Sequence, residues 1–249
     1  MCYEDGGTVD DLLVYKMGEN DFFLVINAAN IDKDWAWIQQ HATGYDVTLE
    51  NQSDYYGELA IQGPDSEQVV KEVLGIDGSD LAFYTFKPLR SSITPSPSPL
   101  ISRTGYTGED GFEVYADAAF INECWDKLVS SGRCKPCGLG CRDTLRFEVG
   151  LPLYGDELSE EITPIMAGLS IFVKLDKDEF IGKDALVQQK AIGAPRKLVG
   201  IELADKAIPL HGYAVLKDGK QIGEVTTGYH TISTDKSVCM ALYRSELSP

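Results

Sequence analysis

Two short runs of β-branched and aromatic residues open the chain, Val9 to Tyr15 and Phe22 to Ala28, set apart by Gly18 and polar neighbours. Dense apolar runs of this length, bounded by turn residues, predict the two strands of a hairpin. From Asn27 to His41 the period changes. Ile31, Trp35 and Ile38 recur at helical spacing with Asp32, Lys33 and Asp34 between them, which predicts a helix carrying those three charges on its outer face. Leu59 to Gln62 predicts a strand closed by Gly63-Pro64. Pro64 to Leu74 predicts a helix, proline being tolerated at its start because the missing N–H would be unpaired there anyway. Thr94 to Leu100 carries Pro95, Pro97 and Pro99 and is expected as a loop or extended edge, since proline gives no donor to a ladder. Leu100 to Arg103 and Phe112 to Tyr115 predict strands around a Gly-rich turn. Ala118 to Ser130 and Leu139 to Val149 predict helices, with Gly150 as a C-cap beyond the second.

The texture changes after Gly193-Ala194-Pro195. Leu198 to Leu203, Tyr213 to Lys217, Gln221 to Thr227 and Val238 to Leu242 are short strand patterns, and Asp218-Gly219 supplies a hairpin turn. The pattern predicts an α/β chain of the α+β type in two parts. Residues 1–193 form a core of antiparallel and mixed sheets with flanking helices. Residues 194–249 form a β-barrel-like unit with fewer strands than a closed barrel normally has.

Composition narrows the chemistry. No apolar run approaches the length that spans a bilayer, about 18 residues or more, and the N-terminal stretch has neither the basic nor the apolar region of a secretion signal. A soluble, cytoplasmic protein is expected. The 249 residues carry a net charge of −17, which phosphate backbones repel, so a nucleic-acid partner is not expected. Cys134, Cys137 and Cys141 tempt a metal reading, but their spacing fits no common zinc pattern and no partner Cys-x-x-Cys or His-x-His accompanies them. Structural thiols and no metal are expected.

Four segments could carry chemistry. In Gly6 to Tyr15 two adjacent acids enter an apolar strand. Period two puts Asp11, Leu13 and Tyr15 on one face and Asp10, Leu12 and Val14 on the other, so one acid faces inward, at a cost unless paired or functional. A solvated turn with both acids outside is the other reading. In Arg103 to Tyr115 the glycines allow close backbone approach to a ligand, and Glu113, between Phe112 and Val114, could accept hydrogen bonds from an amidine-like ring edge. A hairpin with exposed acids fits the same residues. In Gly138 to Glu148, Arg142 and Arg146 share a helix face, either as an anion or heteroaromatic site near a helix start or as a surface ion-pair ladder. Lys177 to Asp184 leads into a helix and carries no readable chemistry of its own.

Together, Gly6-Gly7 with Val9-Asp10-Asp11-Leu12, the Gln62-Gly63-Pro64 turn, Thr104 to Gly111, Gly138 to Glu148 and Leu153-Tyr154-Gly155 resemble the aminomethyltransferases, the T-proteins of the glycine cleavage system. The resemblance implies a folate-binding core followed by a partial β-barrel domain. It also implies transfer of a one-carbon unit from the aminomethyl-lipoyl arm of the H-protein to tetrahydrofolate, with release of ammonia. On the matching positions it implies Asp11 as the key carboxylate, Glu113 and Arg142 as folate-holding residues, and Tyr106 and Tyr15 as pocket walls. Asp10, Arg146 and Asn27 are secondary candidates. The implied compartment is the cytoplasm, or the mitochondrial matrix for a eukaryotic source. Against the family's usual chain, residues 1–249 would lack an N-terminal segment and the end of the β-domain, and the Ser-Pro stretch stands where a strand is usual. A folate-binding paralogue that assists iron–sulfur assembly, or a fragment without turnover, is the alternative. The paralogue's cysteine motif falls on Lys177 to Asp184, where Glu179 stands in place of the thiol, and a carboxylate cannot supply thiolate chemistry. A flavin-linked folate oxidase is a third reading, but no dinucleotide fingerprint is present.

Overall fold

Strand β6, Gly111–Ala116, is buried at every position, an arrangement that requires protein on both faces of its sheet. The computed structural model in which it is seen describes residues 1–89 and 98–247. The elements before it are β1 (Leu13–Lys16), β2 (Phe22–Val25), α1 (Ile31–His41), β3 (Gly57–Gln62), α2 (Ser66–Leu74), β4 (Phe86–Pro88) and β5 (Leu100–Ser102). After it come α3 (Ala118–Ser130), α4 (Leu139–Glu148), α5 (Lys183–Ile192), β7 (Arg196–Glu202), β8 (Ala214–Lys217), β9 (Lys220–His230) and β10 (Ser237–Arg244). The chain is mixed α/β, with antiparallel sheets and flanking helices. Two compact units emerge: Gln39–Val149, and Met1–Ile38 together with Gly150–Pro249.

The Gln39–Val149 unit is built on an antiparallel sheet of order β3-β6-β5-β4. Period two sends Leu59 and Ile61 of β3 and Phe112 and Val114 of β6 to one side. There they pack with Val69 and Val70 of α2 and with Cys124 and Leu128 of α3. Burying an aliphatic or aromatic side chain contributes roughly 1.5–3 kcal/mol each, so this face supplies much of the unit's stability. The opposite register positions, Glu58, Ala60 and Gln62 on β3 and Glu113 and Tyr115 on β6, share the other face. Asp117 caps α3 by accepting a hydrogen bond from the Phe120 N–H at 2.9 Å. The expected loop from Thr94 to Leu100 falls largely on 90–97, outside the described residues.

The other unit holds the β1–β2 hairpin, most of α1, α5 and an antiparallel sheet of order β7-β10-β9-β8. Asp218 and Gly219 both adopt positive φ, 52° and 75°, at the β8–β9 turn, as an Asp-Gly hairpin turn requires. Leu158, Ile162, Met166, Ala167, Ala194 and Leu242 form one core cluster, and Val225, Cys239 and Ala241 another.

Two expectations near the N-terminus fail. β1 begins at Leu13 rather than Val9, because Thr8 is tied to a distant loop through Thr8 N–H to Ser159 O (2.9 Å) and Thr8 Oγ1–H to Ile162 O (2.7 Å). Strand parity therefore cannot be carried back from Tyr15 to the acids. On α1 the charges are not all outside, since Asp34 has no exposed surface at all.

Candidate functional site

The sequence-predicted residues fall into two clusters, one in each unit. The first grows from Gly7, where any side chain would collide with the Glu160 backbone, so the chain lies flat against that loop and delivers Asp10 into the interior. Asp10 is fully buried. Its Oδ2 accepts from the Asn27 backbone N–H (3.0 Å), and its Oδ1 accepts from the Asn27 and Asn30 side-chain amides (both 2.8 Å). The same Asn27 amide donates to Asp11 Oδ1 at 3.0 Å and to Asp11 O at 3.2 Å. Asp11 is exposed and Asp10 is the buried acid of the pair, so one acid does face inward, although Tyr15, which strand period would place on the Asp11 face, is buried as well. Desolvation and then the neighbouring Asp10 raise the Asp11 carboxyl above the usual range, while the Asn27 hydrogen bond opposes the rise.

Behind this pair lies Asp34. Burial, reinforced by a hydrogen bond and like charge from Asp10, pushes its carboxyl up to about 7. Lys33 Nζ sits 3.2 Å from Asp34 Oδ1, donates to the Val9 carbonyl and to Tyr154 Oη (3.1 Å), and lies 4.2 Å from the Tyr154 ring centroid. Tyr15, on the buried side of β1, pairs across the hairpin with Phe23, their ring centroids 6.2 Å apart.

The second cluster occupies the far face of the β3-β6-β5-β4 sheet. Glu113 is buried at 7% exposure, an unusual depth for a carboxylate unless it is paired. Thr104 and Tyr115 both donate hydroxyls to its Oε2, the latter at 2.9 Å, which leaves Oε1 for a ligand donor. Thr104 is itself 2.6 Å from Ser102 Oγ. The Gly-rich turn packs round Gln62, whose amide donates to Thr104 O at 3.1 Å, and a side chain at Gly105 would overlap that amide. The Arg142 guanidinium stacks over the Tyr106 ring at 4.7 Å, a cation–π arrangement that offers a flat charged surface. Arg146 parts from it: fully buried, it donates from Nε to Asp143 Oδ1 at 2.6 Å. Desolvation, then Glu113, pushes the Glu58 carboxyl up to about 7 against the pull of Arg142.

Glu113, Tyr106 and Arg142 thus belong to one unit, and Asp10, Asp11, Asn27 and Tyr15 to the other. Sequence reasoning missed Thr104, Tyr115, Glu58, Asn30 and Asp34. Tyr115 and Glu58 were within reach, since period two and the register put them on the Glu113 face. Nothing local marks Asp34. The six cysteines are free: Cys124 and Cys239 are buried as small apolar side chains, whereas Cys137 and Cys141 are exposed. Among the described residues no cluster of three or more His, Cys, Asp or Glu side chains is arranged to hold a metal, and no helix is long and apolar enough to cross a membrane.

Residues 1–177 match the GCVT N-terminal domain, and residues 196–249 match the glycine cleavage T-protein C-terminal barrel domain. The chain belongs to the glycine cleavage T-protein family. It is 52% identical to an aminomethyltransferase of Lysinibacillus sphaericus over 251 residues, a match covering all of this chain and 68% of that one. An aminomethyltransferase of Clostridium botulinum is 50% identical with the same coverage. The T-protein fold is shared with the crystal structure of glycine cleavage system aminomethyltransferase T from Bartonella henselae, at a TM-score of 0.89 and 31% identity, over 99% of this chain and 67% of that one. Both acidic clusters lie within the segment that matches the T-protein N-terminal domain.

Proposed function

We propose that this T-protein chain binds tetrahydrofolate and transfers to it the one-carbon unit carried on the aminomethyl-lipoyl arm of the H-protein. The products are 5,10-methylenetetrahydrofolate, ammonia and the dihydrolipoyl H-protein. The observation that carries the reading is Glu113: a buried carboxylate with two hydroxyl donors on Oε2 and Oε1 unused by them. A pterin edge presents adjacent N–H donors, and a charged acceptor in a dry setting binds such an edge more strongly than water does. Arg142, stacked on Tyr106, suits a flat ring and the carboxylate tail beyond it.

Asp11 is the proposed catalytic carboxylate. Its raised affinity for a proton equips it to assist the folate nitrogen that attacks the aminomethyl carbon and to stabilise positive charge on that nitrogen. Tyr15, Asn27 and Asp10 hold the surroundings of that group. We assign folate binding to residues 1–193 and a β-barrel-like domain to 194–249, a division supported by matches that end at 177 and resume at 196. The cytoplasm is the proposed compartment.

The test is anaerobic calorimetric titration with tetrahydrofolate of the wild-type protein and of Glu113→Ala. A charge-assisted hydrogen bond contributes about 1.5–3 kcal/mol, so the variant should bind roughly ten to a hundred times more weakly. Equal binding by both proteins would remove Glu113 from the site and the reading with it.

A further inference from the structure

Residues 9–12, which carry the two acids, belong to no strand, and β1 opens only at Leu13. The backbone here is held by donors from elsewhere. Thr8 O accepts from the Tyr154 hydroxyl at 3.3 Å, Val9 O from the Lys33 ammonium, and Asp10 O from the Met1 amino group at 2.7 Å. Lys33 has the largest share in this arrangement. One hydrogen of its ammonium goes to Val9 O and a second to Tyr154 Oη at 3.1 Å. The third is left for Asp34 Oδ1, 3.2 Å away, an ion pair with a carboxylate that has no exposed surface. The Tyr154 ring centroid lies 4.2 Å from the same ammonium, and Tyr154 is packed in turn against the core cluster of Leu158 and Ile162. A lysine is ordinarily a solvated side chain with many rotamers, and fixing it costs entropy. Only 35% of this one is exposed, and its contacts place one positive charge on one backbone carbonyl.

We propose that Lys33 is a positioning residue for the transfer reaction: its ammonium, anchored by Asp34 and Tyr154, sets the Val9–Asp10 peptide and with it the placement of the Asp11 carboxyl. A peptide unit is planar and rigid, so a donor fixed on Val9 O fixes the plane that leads into Asp10. The Asp10 carboxylate then meets the Asn27 N–H at 3.0 Å and the Asn27 and Asn30 amides at 2.8 Å. The same Asn27 amide reaches Asp11 Oδ1 at 3.0 Å and Asp11 O at 3.2 Å. Asn27, Asn30 and Lys33 all lie at the start of α1 or in the turn that leads into it. One helix start therefore grips the acid segment twice, its side chains through the asparagines and its backbone through Lys33. Without the second grip the Val9–Asp10 peptide can turn, and Asp11, one residue on, turns with it. The consequence for catalysis rests on the proposed function, whereas the grip itself does not.

A counter-charge for Asp34 would be a purely structural use of Lys33, and the two roles can be separated. Removing Lys33 alone leaves the Asp34 carboxylate buried without its cation, which destabilises the protein for a reason unrelated to Asp11. Changing both to neutral residues of similar shape, Lys33→Met with Asp34→Asn, avoids that charge. It takes away the donor on Val9 O and Tyr154 Oη. Asp34→Asn alone keeps that donor.

The experiment compares wild type, Asp34→Asn, the double variant Lys33→Met/Asp34→Asn, and Tyr154→Phe, each in the whole chain. It reads kcat and KM for transfer, the tetrahydrofolate dissociation constant, the thermal midpoint, and the Asp11 carboxyl ¹³C resonance, assigned by its absence in Asp11→Asn. The double variant should lose about ten- to a hundredfold in kcat, with KM and the dissociation constant little changed, and its Asp11 resonance should shift. Asp34→Asn should lose much less and shift less. Tyr154→Phe keeps the ring beside the ammonium and removes only the hydroxyl, so the resonance should move in the same sense by a smaller amount. A folded double variant with a lowered midpoint but wild-type kcat and resonance would make Lys33 merely structural and overturn the proposal. Equal losses in Asp34→Asn and the double variant would overturn it too, by assigning the effect to Asp34. Should the double variant not fold, Tyr154→Phe decides, and an unmoved Asp11 resonance there counts against the proposal. If the wild type neither binds nor uses tetrahydrofolate, the functional reading fails alone, since the Asp11 resonance still decides the grip.

Discussion

At the residue scale, the acid pair shows how neighbours with one side chain take different chemistry. Asp10 is buried and saturated with amide donors, while Asp11, one residue on, is exposed and shares only the Asn27 amide. A carboxyl whose proton affinity is raised, as that of Asp11 is, suits proton transfer at near-neutral pH. Asp11→Asn should therefore lower kcat by about a hundredfold or more, with the thermal midpoint and tetrahydrofolate binding close to wild type. Steady-state transfer assays alongside a melt check this, and unchanged kcat would dismiss Asp11 as the reacting carboxylate. Glu113 is legible in the sequence because a carboxylate inside an apolar strand is anomalous by itself. Asp34 is not. Its neighbours Asp32 and Lys33 look the same in sequence, yet Asp32 is exposed, Lys33 half-buried and Asp34 fully buried.

Elements follow the sequence pattern where their signals are local. β3, α2, β6, α3, α4 and the strands after Pro195 lie close to their expected bounds, since hydrophobic period and capping residues act over a few residues. Gly150, at φ 72°, ends α4 as the sequence suggests. β1 departs from its pattern because its start is set by hydrogen bonds from Thr8 to residues some 150 positions away. The elements also divide labour: α2 and α3 cover one face of the sheet, and Glu113 stands on the other. A change at the α3 cap should therefore alter stability without touching the ligand. Asp117→Ala should cost about 1 kcal/mol in urea unfolding and leave the tetrahydrofolate dissociation constant unaltered. A large affinity loss would show that the helix supports the Glu113 face directly.

For the whole molecule, the excess of 39 acidic over 22 basic residues gives a net charge of −17. Self-repulsion at that charge weakens the folded state, and salt screens it over a Debye length of about 10 Å at 0.1 M. Raising sodium chloride from low to near-physiological strength should lift the thermal midpoint by a few degrees, as calorimetry would show. A midpoint that falls instead would mean that ion pairs such as Arg103 with Asp110 and Glu67 outweigh the repulsion. The sequence by itself determined the α/β class, the β-rich final quarter, the excess negative charge and the family, because each is written in local period, composition or a run of motifs. Only the tertiary structure decided which aspartate is buried, which arginine stacks on Tyr106 and which stays inside with Asp143, and that Glu113 receives Thr104 and Tyr115. Those outcomes depend on segments distant in sequence meeting at atomic range, where burial and the count of available donors decide the charge each group can carry.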